Sequence, residues 1–518
     1  MARSEPQSRA IKPPSMLEAA TPVILLVILV ILAQVLFDGD STGGPFQIAL
    51  IICALVAGLI AHKNGHELRD VGKQAVEGIS SAMGAIFILL AVGALIGTWS
   101  MAGTTATLTY YGVKLISPQW FYLACVIICG LISLSIGSSW TTVGTIGVAL
   151  IAISEVLGLR PEITAGAIIS GAYFGDKMSP LSDTTNLSPA IAGTDLYTHI
   201  RAMLWTTVPS IITTLIIFAW MGFRTEVDAA AYDPTPALHA LESSFNISLL
   251  TLLPLFLVLV LAWRRVPAFV AIMAGALAGG LIAILLQPQQ VIAFVNDPTL
   301  SAPLALLKGV WSSLANGYSA LTGYPKIDDL VSRGGMSSML FTVWLILAAM
   351  MFGSIMDHTG SLRKLLEPLV RFARSAGRLM ISAGITAIFL NIFAGDQYMA
   401  IVLPGTIFKE EFRKQKVAPQ MLSRQIEDTA TITSPLVPWN TCGAYMAATL
   451  GVATATYLPF CFFNLINPIL SFIFDALGFQ IQRLKESTPE PLAPPPVQVE
   501  HYGIGGYDSN VTVEPSRE

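Results

Sequence analysis

The 518-residue chain is 53% hydrophobic and only 12% charged, with a mean hydropathy of +0.66 and a formal net charge of −4. Soluble chains carry about 25% charged residues, so an ordinary soluble domain is excluded, and neither charge nor composition points to a nucleic-acid partner. The charges that exist lie mostly in loops and tails, which is the distribution of a polytopic α-helical membrane protein.

In chain order, the first apolar run is "TPVILLVILVILAQVLF" (21–37). It lacks a small-residue cleavage site and exceeds the apolar core of a signal peptide, about 7–15 residues, so it reads as a retained helix. Further runs at 47–61, 247–263, 267–286 and 338–356 approach the roughly 20 residues that cross a bilayer core. The segment 63–78 is polar and suits an interfacial helix. From about 486 onward the sequence is rich in Pro and polar residues without periodicity, the composition of a disordered tail. Cys53, Cys125, Cys129, Cys442 and Cys461 all fall in apolar segments. The i, i+4 pair Cys125 and Cys129 reads as packing, and neither disulfides nor zinc are implied.

Two blocks align at a constant offset of 258 residues: Gly137 with Gly395, Gly147 with Gly405, Pro161 with Pro419, and Pro180 with Pro438. "SPL" recurs at 179–181 and 434–436, with a three-residue slip. This spacing predicts an internal repeat. Cytoplasmic loops carry excess Lys and Arg, and the tail with Arg3, Arg9 and Lys12 and the loop with Lys63, Arg69 and Lys73 read as inside. The acidic "DGDSTGG" (38–44) between them reads as outside. Loops of the first block hold only Lys114 and Arg160, so they read as outside. The matching loops of the second block hold Arg363, Lys364, Arg371, Arg374, Arg378, Lys409, Arg413, Lys414 and Lys416, so they read as inside. The expected fold is therefore an all-α polytopic membrane protein of two inverted-topology repeats, an architecture common in secondary transporters.

Each repeat carries two apolar arms joined at a polar tip, at 120–157 around "SIGSSWTT" and at 379–408 around "NIFAGDQY". The lack of Lys or Arg at either tip favours a re-entrant hairpin over two spans. Each hairpin is followed by a discontinuous helix. The count is about ten spans plus two hairpins, with both termini cytoplasmic. The layout is a cytoplasmic tail (1–17), two leading helices (18–62), repeat 1 (79–222), two linking helices (247–286), repeat 2 (338–476) and the Pro-rich tail (486–518).

The breaks carry the chemistry. Non-helical backbone at membrane depth is tolerated only where protein or a polar cavity satisfies it. In "GDKMSPLSDTTN" (175–186), Gly175 and Pro180 interrupt the helix, freeing carbonyls beside Ser, Thr and Asn oxygens and a carboxylate. That is a hard-oxygen environment suited to a small cation. Ionisable residues at such depth are functional candidates by default. Asp183, among Ser182, Thr184, Thr185 and Asn186, is the first choice as cation ligand, and Asp176 is either a ligand or the partner of Lys177. The tip residues Ser138, Ser139 and Thr141 are expected to face this half-site, with Na⁺ placed at Asp183, Asn186 and Ser139. Asp396, Asp428, Asn440 and Thr441 form the second half-site, with Pro435 and Pro438 as breakers. Glu427 and Asp428 fall on different sides of one helix, which leaves an interfacial place for one of them. Burial favours the protonated carboxylate and a bound cation the ionised one, so proton and cation compete, which is the minimal mechanism of an antiporter. The neutral readings are Ser and Thr as helix glue, His62 and His66 as solvated loop residues, His358, Glu155 and Glu162 as interfacial, and Trp140 and Trp439 as packing.

No GxxxxGK[ST] loop and no HExxH is present, so an ATP-driven pump or a zinc protease is not expected and the chain is not read as an enzyme. A channel also uses broken helices, but carboxylates among Ser, Thr and Asn favour coupled exchange.

These residues carry a resemblance. "GAYFGDKMSPLSDTTNLSPAIAGTDLYTHI" (171–200) resembles the signature stretch of NhaC-type sodium/proton antiporters. "SIGSSWTTVGTIG" (135–147) and "IEDTATITSPLVPWNTCGAYMA" (426–447) are similar to that family's other polar segments. The resemblance runs from about residue 20 to 480. It implies the fold of the broader ion-transporter superfamily and exchange of Na⁺ (or Li⁺) for H⁺ across a bacterial inner membrane. The family also includes exchangers that couple Na⁺ and H⁺ to malate and lactate. For such an organic-acid exchanger, Lys177 is the one evident buried cation. The expected partners are Na⁺, H⁺ and the bilayer, with no cofactor; a homodimer is left open.

Overall fold

The computed structural model describes residues 11–37, 43–224, 234–320, 324, 328 and 331–484. The Pro-rich tail and the first ten residues lie outside them. Among the described residues the elements are helical, and nine helices are long and apolar enough to cross a membrane, or up to eleven if each of two bent pairs is one span.

The leading helices are α1 (Met16–Leu36), α2 (Pro45–Lys63) and α3 (Leu68–Ser81). Ser15 and Glu18 form a reciprocal capping box at the start of α1, satisfying two donors that a helix start leaves free. Repeat 1 comprises α4 (Met83–Met101), α5 (Thr104–Leu115), α6 (Pro118–Ile136), α7 (Ser139–Val156), α8 (Pro161–Met178), α9 (Asp183–Ala192) and α10 (Leu196–Arg224). The connecting region holds α11 (Thr235–Ser244), α12 (Leu253–Trp263), α13 (Ala268–Leu286), α14 (Pro288–Val295) and α15 (Ala302–Asn316). The expected linking segment 247–286 falls on α12 and α13. α13 is a full-length candidate, whereas α12 is only 11 residues and meets the length criterion only with its preceding turn and α11, from which it bends by 88°.

Repeat 2 comprises α16 (Leu340–His358), α17 (Ser361–Phe372), α18 (Ala376–Phe393), α19 (Gln397–Lys414), α20 (Pro419–Ile426), α21 (Thr441–Leu450) and α22 (Phe462–Leu477). The starts of α18, α19, α20 and α21 follow those of α6, α7, α8 and α9 by 258 residues each. The caps repeat as well. Gly137 and Gly395 end α6 and α18 with φ of 71° and 70°, a left-handed turn that glycine adopts without a Cβ clash. Ser138 and Asp396 then cap α7 and α19 through their side chains.

Each arm of the two pairs has 18 or 19 residues. That is about 27 Å of helix, close to the bilayer core of about 30 Å, so each arm is long enough to cross. α6 lies directly on α8 because small residues let the backbones meet: a Cβ at Gly175 would stand 2.4 Å from the Gly130 carbonyl oxygen, and one at Gly171 2.4 Å from that of Val126. Each tip rests near the break of its own repeat. A Cβ at Gly137 would meet the Leu181 backbone at 2.6 Å, and one at Gly395 points towards the Trp439 carbonyl at 3.6 Å. This docking of tip on break places the polar residues together in the interior.

Candidate functional site

α8 ends at Met178 because the cap residue Ser179 turns extended before Pro180, and α9 starts afresh at Ser182, whose hydroxyl accepts from the Thr185 N–H. In the last turn of α8, Asp176 is 5% exposed. Its Oδ2 accepts from the Ser139 N–H at 3.1 Å and the Ser139 hydroxyl at 2.6 Å. Its Oδ1 is buried with no hydrogen-bond donor among the described residues. Ser138 caps α7, accepting from the Thr141 N–H and hydroxyl at 3.2 and 3.0 Å. Thr185 donates to the carbonyls of Asp176 and Lys177 at 3.2 and 3.1 Å. Just beyond the tip, α7 widens into a π turn over Val143–Gly147, a local irregularity that often accompanies function.

The expected trio of Asp183, Asn186 and Ser139 is not assembled. Asp183 and Asn186 are exposed. Asp183 accepts from the Thr184 N–H at 2.9 Å and from the Tyr398 hydroxyl of repeat 2. The Asn186 amide donates to the Pro180 and Ser182 carbonyls at 3.0 and 2.6 Å, closing the break from outside. Ser139 is bonded to Asp176 instead. The buried carboxylate beside the first tip is Asp176, because position 176 lies on the face of α8 that packs towards the tip.

Lys177 does not pair with Asp176. Fully buried, it donates to Asp428, 251 residues away, and to Asn467 Oδ1 at 3.0 Å. Asp428 accepts as well from the hydroxyls of Thr206 (3.1 Å) and Ser471 (2.9 Å) and the Asn467 amide (3.2 Å). Four donors occupy its oxygens, so Asp428 is one end of an ion pair rather than an open ligand. One turn earlier, Arg424 pairs with Asp475 of α22. Glu427 is equally buried, so neither acid at 427–428 is interfacial. Glu427 begins a second π turn, Glu427–Thr431. Its oxygens accept from Thr184 Oγ1 at 3.1 Å and Ser188 Oγ at 2.5 Å, both on α9.

In repeat 2, Asp396 caps α19 by accepting from the Met399 N–H at 2.9 Å and stands 3.5 Å from the Thr441 hydroxyl. The Thr441 N–H donates to the Gly395 carbonyl at 3.0 Å. Asn440 accepts from the Cys442 N–H at 3.0 Å and donates to Asn391, which itself donates to the Ala430 carbonyl at 2.6 Å. Asp396, Asn440 and Thr441 thus come together, while Asp428 stands with Lys177. Trp140 stacks on Tyr445 at 4.1 Å, and Trp439 packs edge-on to Phe46. His66 meets the His358 ring at 5.3 Å, and burial with that neighbour holds His66 below the ordinary imidazole value. Glu155 pairs with Arg333 and Glu162 with Arg160.

Arg424, Asp475, Asn467, Asn391, His199 and Tyr398 are absent from the sequence-derived list. The signal available for Asp475 was a lone carboxylate inside "SFIFDAL", and for Arg424 its place one helical turn before Asp428. Asn391 opens the polar tip "NIFAGDQY", and Asn467 stands one helical turn after Asn464 in an otherwise apolar helix, a weak signal in each case.

The sequence model of the Na⁺/H⁺ antiporter family matches residues 1–172 and 171–479. The Na⁺/H⁺ antiporter NhaC of Alkalihalophilus pseudofirmus is 40% identical over 435 residues, 84% of this chain and 91% of that protein. The malate-2H⁺/Na⁺-lactate antiporter of Bacillus subtilis is 35% identical over 466 residues, 90% and 96% of the two chains. The arginine/ornithine antiporter ArcD of Halobacterium salinarum is 30% identical over 484 residues, 92% and 96%. This chain belongs to the Na⁺/H⁺ antiporter family.

Proposed function

We propose that the protein is a secondary transporter that exchanges Na⁺, and Li⁺ by the same chemistry, for H⁺ across a bacterial cytoplasmic membrane, without a cofactor. The observation that carries this reading is Asp176. It is a buried carboxylate with one oxygen held by a helix tip and the other without a donor, beside a broken helix. A dehydrated cation and a proton are alternative occupants of that oxygen, and each excludes the other. The backbone and hydroxyl oxygens of 179–185 and the tip supply the hard ligands a small cation takes. The loop charges support opposite orientations of the two repeats and cytoplasmic termini, and movement of one tip-and-break unit against the rest provides alternating access.

The relatives named for malate, lactate or amino acids raise an organic-ion reading. An anion needs a buried cation free to receive it. Lys177 is held by Asp428 and Asn467, which favours cation exchange; Arg424 is held by Asp475 through Nη2, with Nε and Nη1 lacking an acceptor among the described residues, so the organic ions are included in the test. The deciding experiment uses proteoliposomes with a trapped pH dye. Na⁺, Li⁺, K⁺, malate, lactate and arginine are added in turn to wild type and Asp176→Asn. Na⁺ alone is expected to move protons in the wild type and not in the variant. Proton movement that begins only when an organic ion is present would overturn the reading.

A further inference from the structure

α17, between the first helix of repeat 2 and its tip pair, is amphipathic and strongly basic. Leu362, Leu365, Leu366 and Leu369 recur at helical spacing. Leu362 and Leu366 are buried, and the helix packs on α1, α16 and α18. Towards α19 it leaves an open groove of about 490 Å³, within the range of small-molecule sites, about 300–1,000 Å³. Leu366, Val370 and Ile407 give the groove an apolar lining, and Arg363, Arg371 and Thr406 bring polar groups to it. Val370 and Phe372 remain 37% and 49% exposed.

The groove also carries an excess of positive charge. Glu367 is its one carboxylate, and Lys364 at 3.1 Å and Arg371 at 3.6 Å share it. Arg363 has no carboxylate within ion-pair distance among the described residues, and Asp357 of α16 acts on it only at longer range. Arg374 and Arg378 follow, with the Arg378 guanidinium 5.2 Å over the Phe372 ring. Five cations thus face one carboxylate over 361–378.

We propose that this groove binds the headgroup of an anionic phospholipid, its phosphate held by Arg363 and Arg371 and the upper part of an acyl chain laid along Leu366, Val370 and Ile407. A guanidinium meets phosphate oxygens through paired N–H groups. The cytoplasmic leaflet presents anionic headgroups to basic segments, and a basic amphipathic helix lies at that level. A free anion would use the cations and leave the apolar lining bare, whereas a lipid uses both. The inference rests on the cytoplasmic placement of this loop, and not on which ion is exchanged. Because α19 starts at the second tip, a lipid seated between α17 and α19 ties that tip helix to the membrane interface.

The test uses the full-length purified protein in detergent. Phosphatidylglycerol, phosphatidylcholine and inorganic phosphate are titrated in turn, and binding is read from the rise in unfolding temperature. Phosphatidylglycerol is expected to protect and the other two not. The double variant Arg363→Gln/Arg371→Gln should weaken phosphatidylglycerol binding about thirtyfold, the loss implied by two surface cations. Arg413→Gln/Lys414→Gln, which removes two cations outside the groove, should leave it near the wild-type value. Equal protection by phosphatidylcholine or by phosphate overturns the inference, and so does equal weakening by the two double variants, which would mean diffuse attraction. Should Arg363→Gln/Arg371→Gln not fold, Arg371→Gln alone, at a side chain 80% exposed, is expected to weaken binding about fivefold, and an unchanged midpoint overturns the inference. A photoreactive side chain placed at Val370, in vesicles of phosphatidylcholine with phosphatidylglycerol, identifies the occupant. Capture of phosphatidylglycerol supports the site, and capture of a second copy or of segment 486–518 overturns it. None of these readouts depends on Na⁺ transport, so a protein silent to Na⁺ would sink the exchange reading and leave this one standing.

Discussion

The two repeats share a scaffold and invert its chemistry. In the first, the tip offers hydroxyls (Ser138, Ser139) and the broken helix offers the carboxylate, Asp176. In the second, the tip offers the carboxylate, Asp396, and the broken helix offers the hydroxyl, Thr441. The residue 258 positions after Asp176 is Ser434, and the one 258 after Ser138 is Asp396. The consequences differ. Asp396 is used as a helix cap, and its oxygens are taken by Met399 N–H and Thr441. Asp176 keeps an oxygen without a donor. The first unit thus leaves a buried carboxylate oxygen open while its copy uses its carboxylate as a cap, because a carboxylate at a helix start is satisfied by the backbone N–H groups of its own helix and one in the last turn is not.

The largest expected effect comes from removing the charge in each half. Asp176→Asn is expected to abolish Na⁺-driven proton movement, and Asp396→Asn to leave it measurable, because asparagine caps about as well as aspartate; the opposite order in the dye assay would exchange the roles of the repeats. Next in size is the ion pair that joins the halves. Lys177→Met leaves Asp428 buried with only Arg424 Nε at 3.8 Å as a cation, a loss of up to about 3–5 kcal/mol, read as a lower unfolding temperature of the purified protein. Adding Asp428→Leu to Lys177→Met should recover much of that stability, since a paired apolar replacement buries no charge; no recovery would mean that the hydroxyls and amide around Asp428 matter more than the pair.

The tips come third. Gly137→Ala and Gly395→Ala each place a Cβ on a left-handed residue, at about 1–2 kcal/mol. Only the first also drives it to 2.6 Å from the Leu181 backbone, against 3.3 Å from the Ala349 side chain at the second. Gly137→Ala should therefore impair transport and stability more, and equal effects in transport and thermal unfolding would show that the first tip can yield. The smallest expected effect on stability is the loss of a cap. Ser138→Ala should cost about 1 kcal/mol, seen as a modest drop in unfolding temperature.

Much of this architecture follows from local sequence. Apolar runs of span length make the helices. Pro161, Pro419 and the glycines at 137 and 395 set their ends, and their common spacing reports the repeat. The breaks at 179–182 and 433–440 are local only in part: a proline removes a ladder donor, but Pro189, Pro209, Pro404 and Pro468 lie inside continuous helices, and the breaks are completed by the side-chain caps of Ser182 and Asn440. What a local pattern does not carry is which polar residue faces which. Asp183 stands in the richest polar string and turns outward to Tyr398, while Asp176, one turn before the break, faces the tip. Lys177 passes over its neighbour Asp176 for Asp428 in the other repeat. Glu427 takes its donors from α9, more than 200 residues earlier in the chain. Composition and spacing therefore pointed to a repeated, broken-helix membrane protein, and the resemblance of its polar segments to the antiporter family. Only packing between the repeats decided which carboxylates are paired with cations and which remain without one, because in a buried interior that choice depends on groups brought together across the fold and on no property of the chain near them.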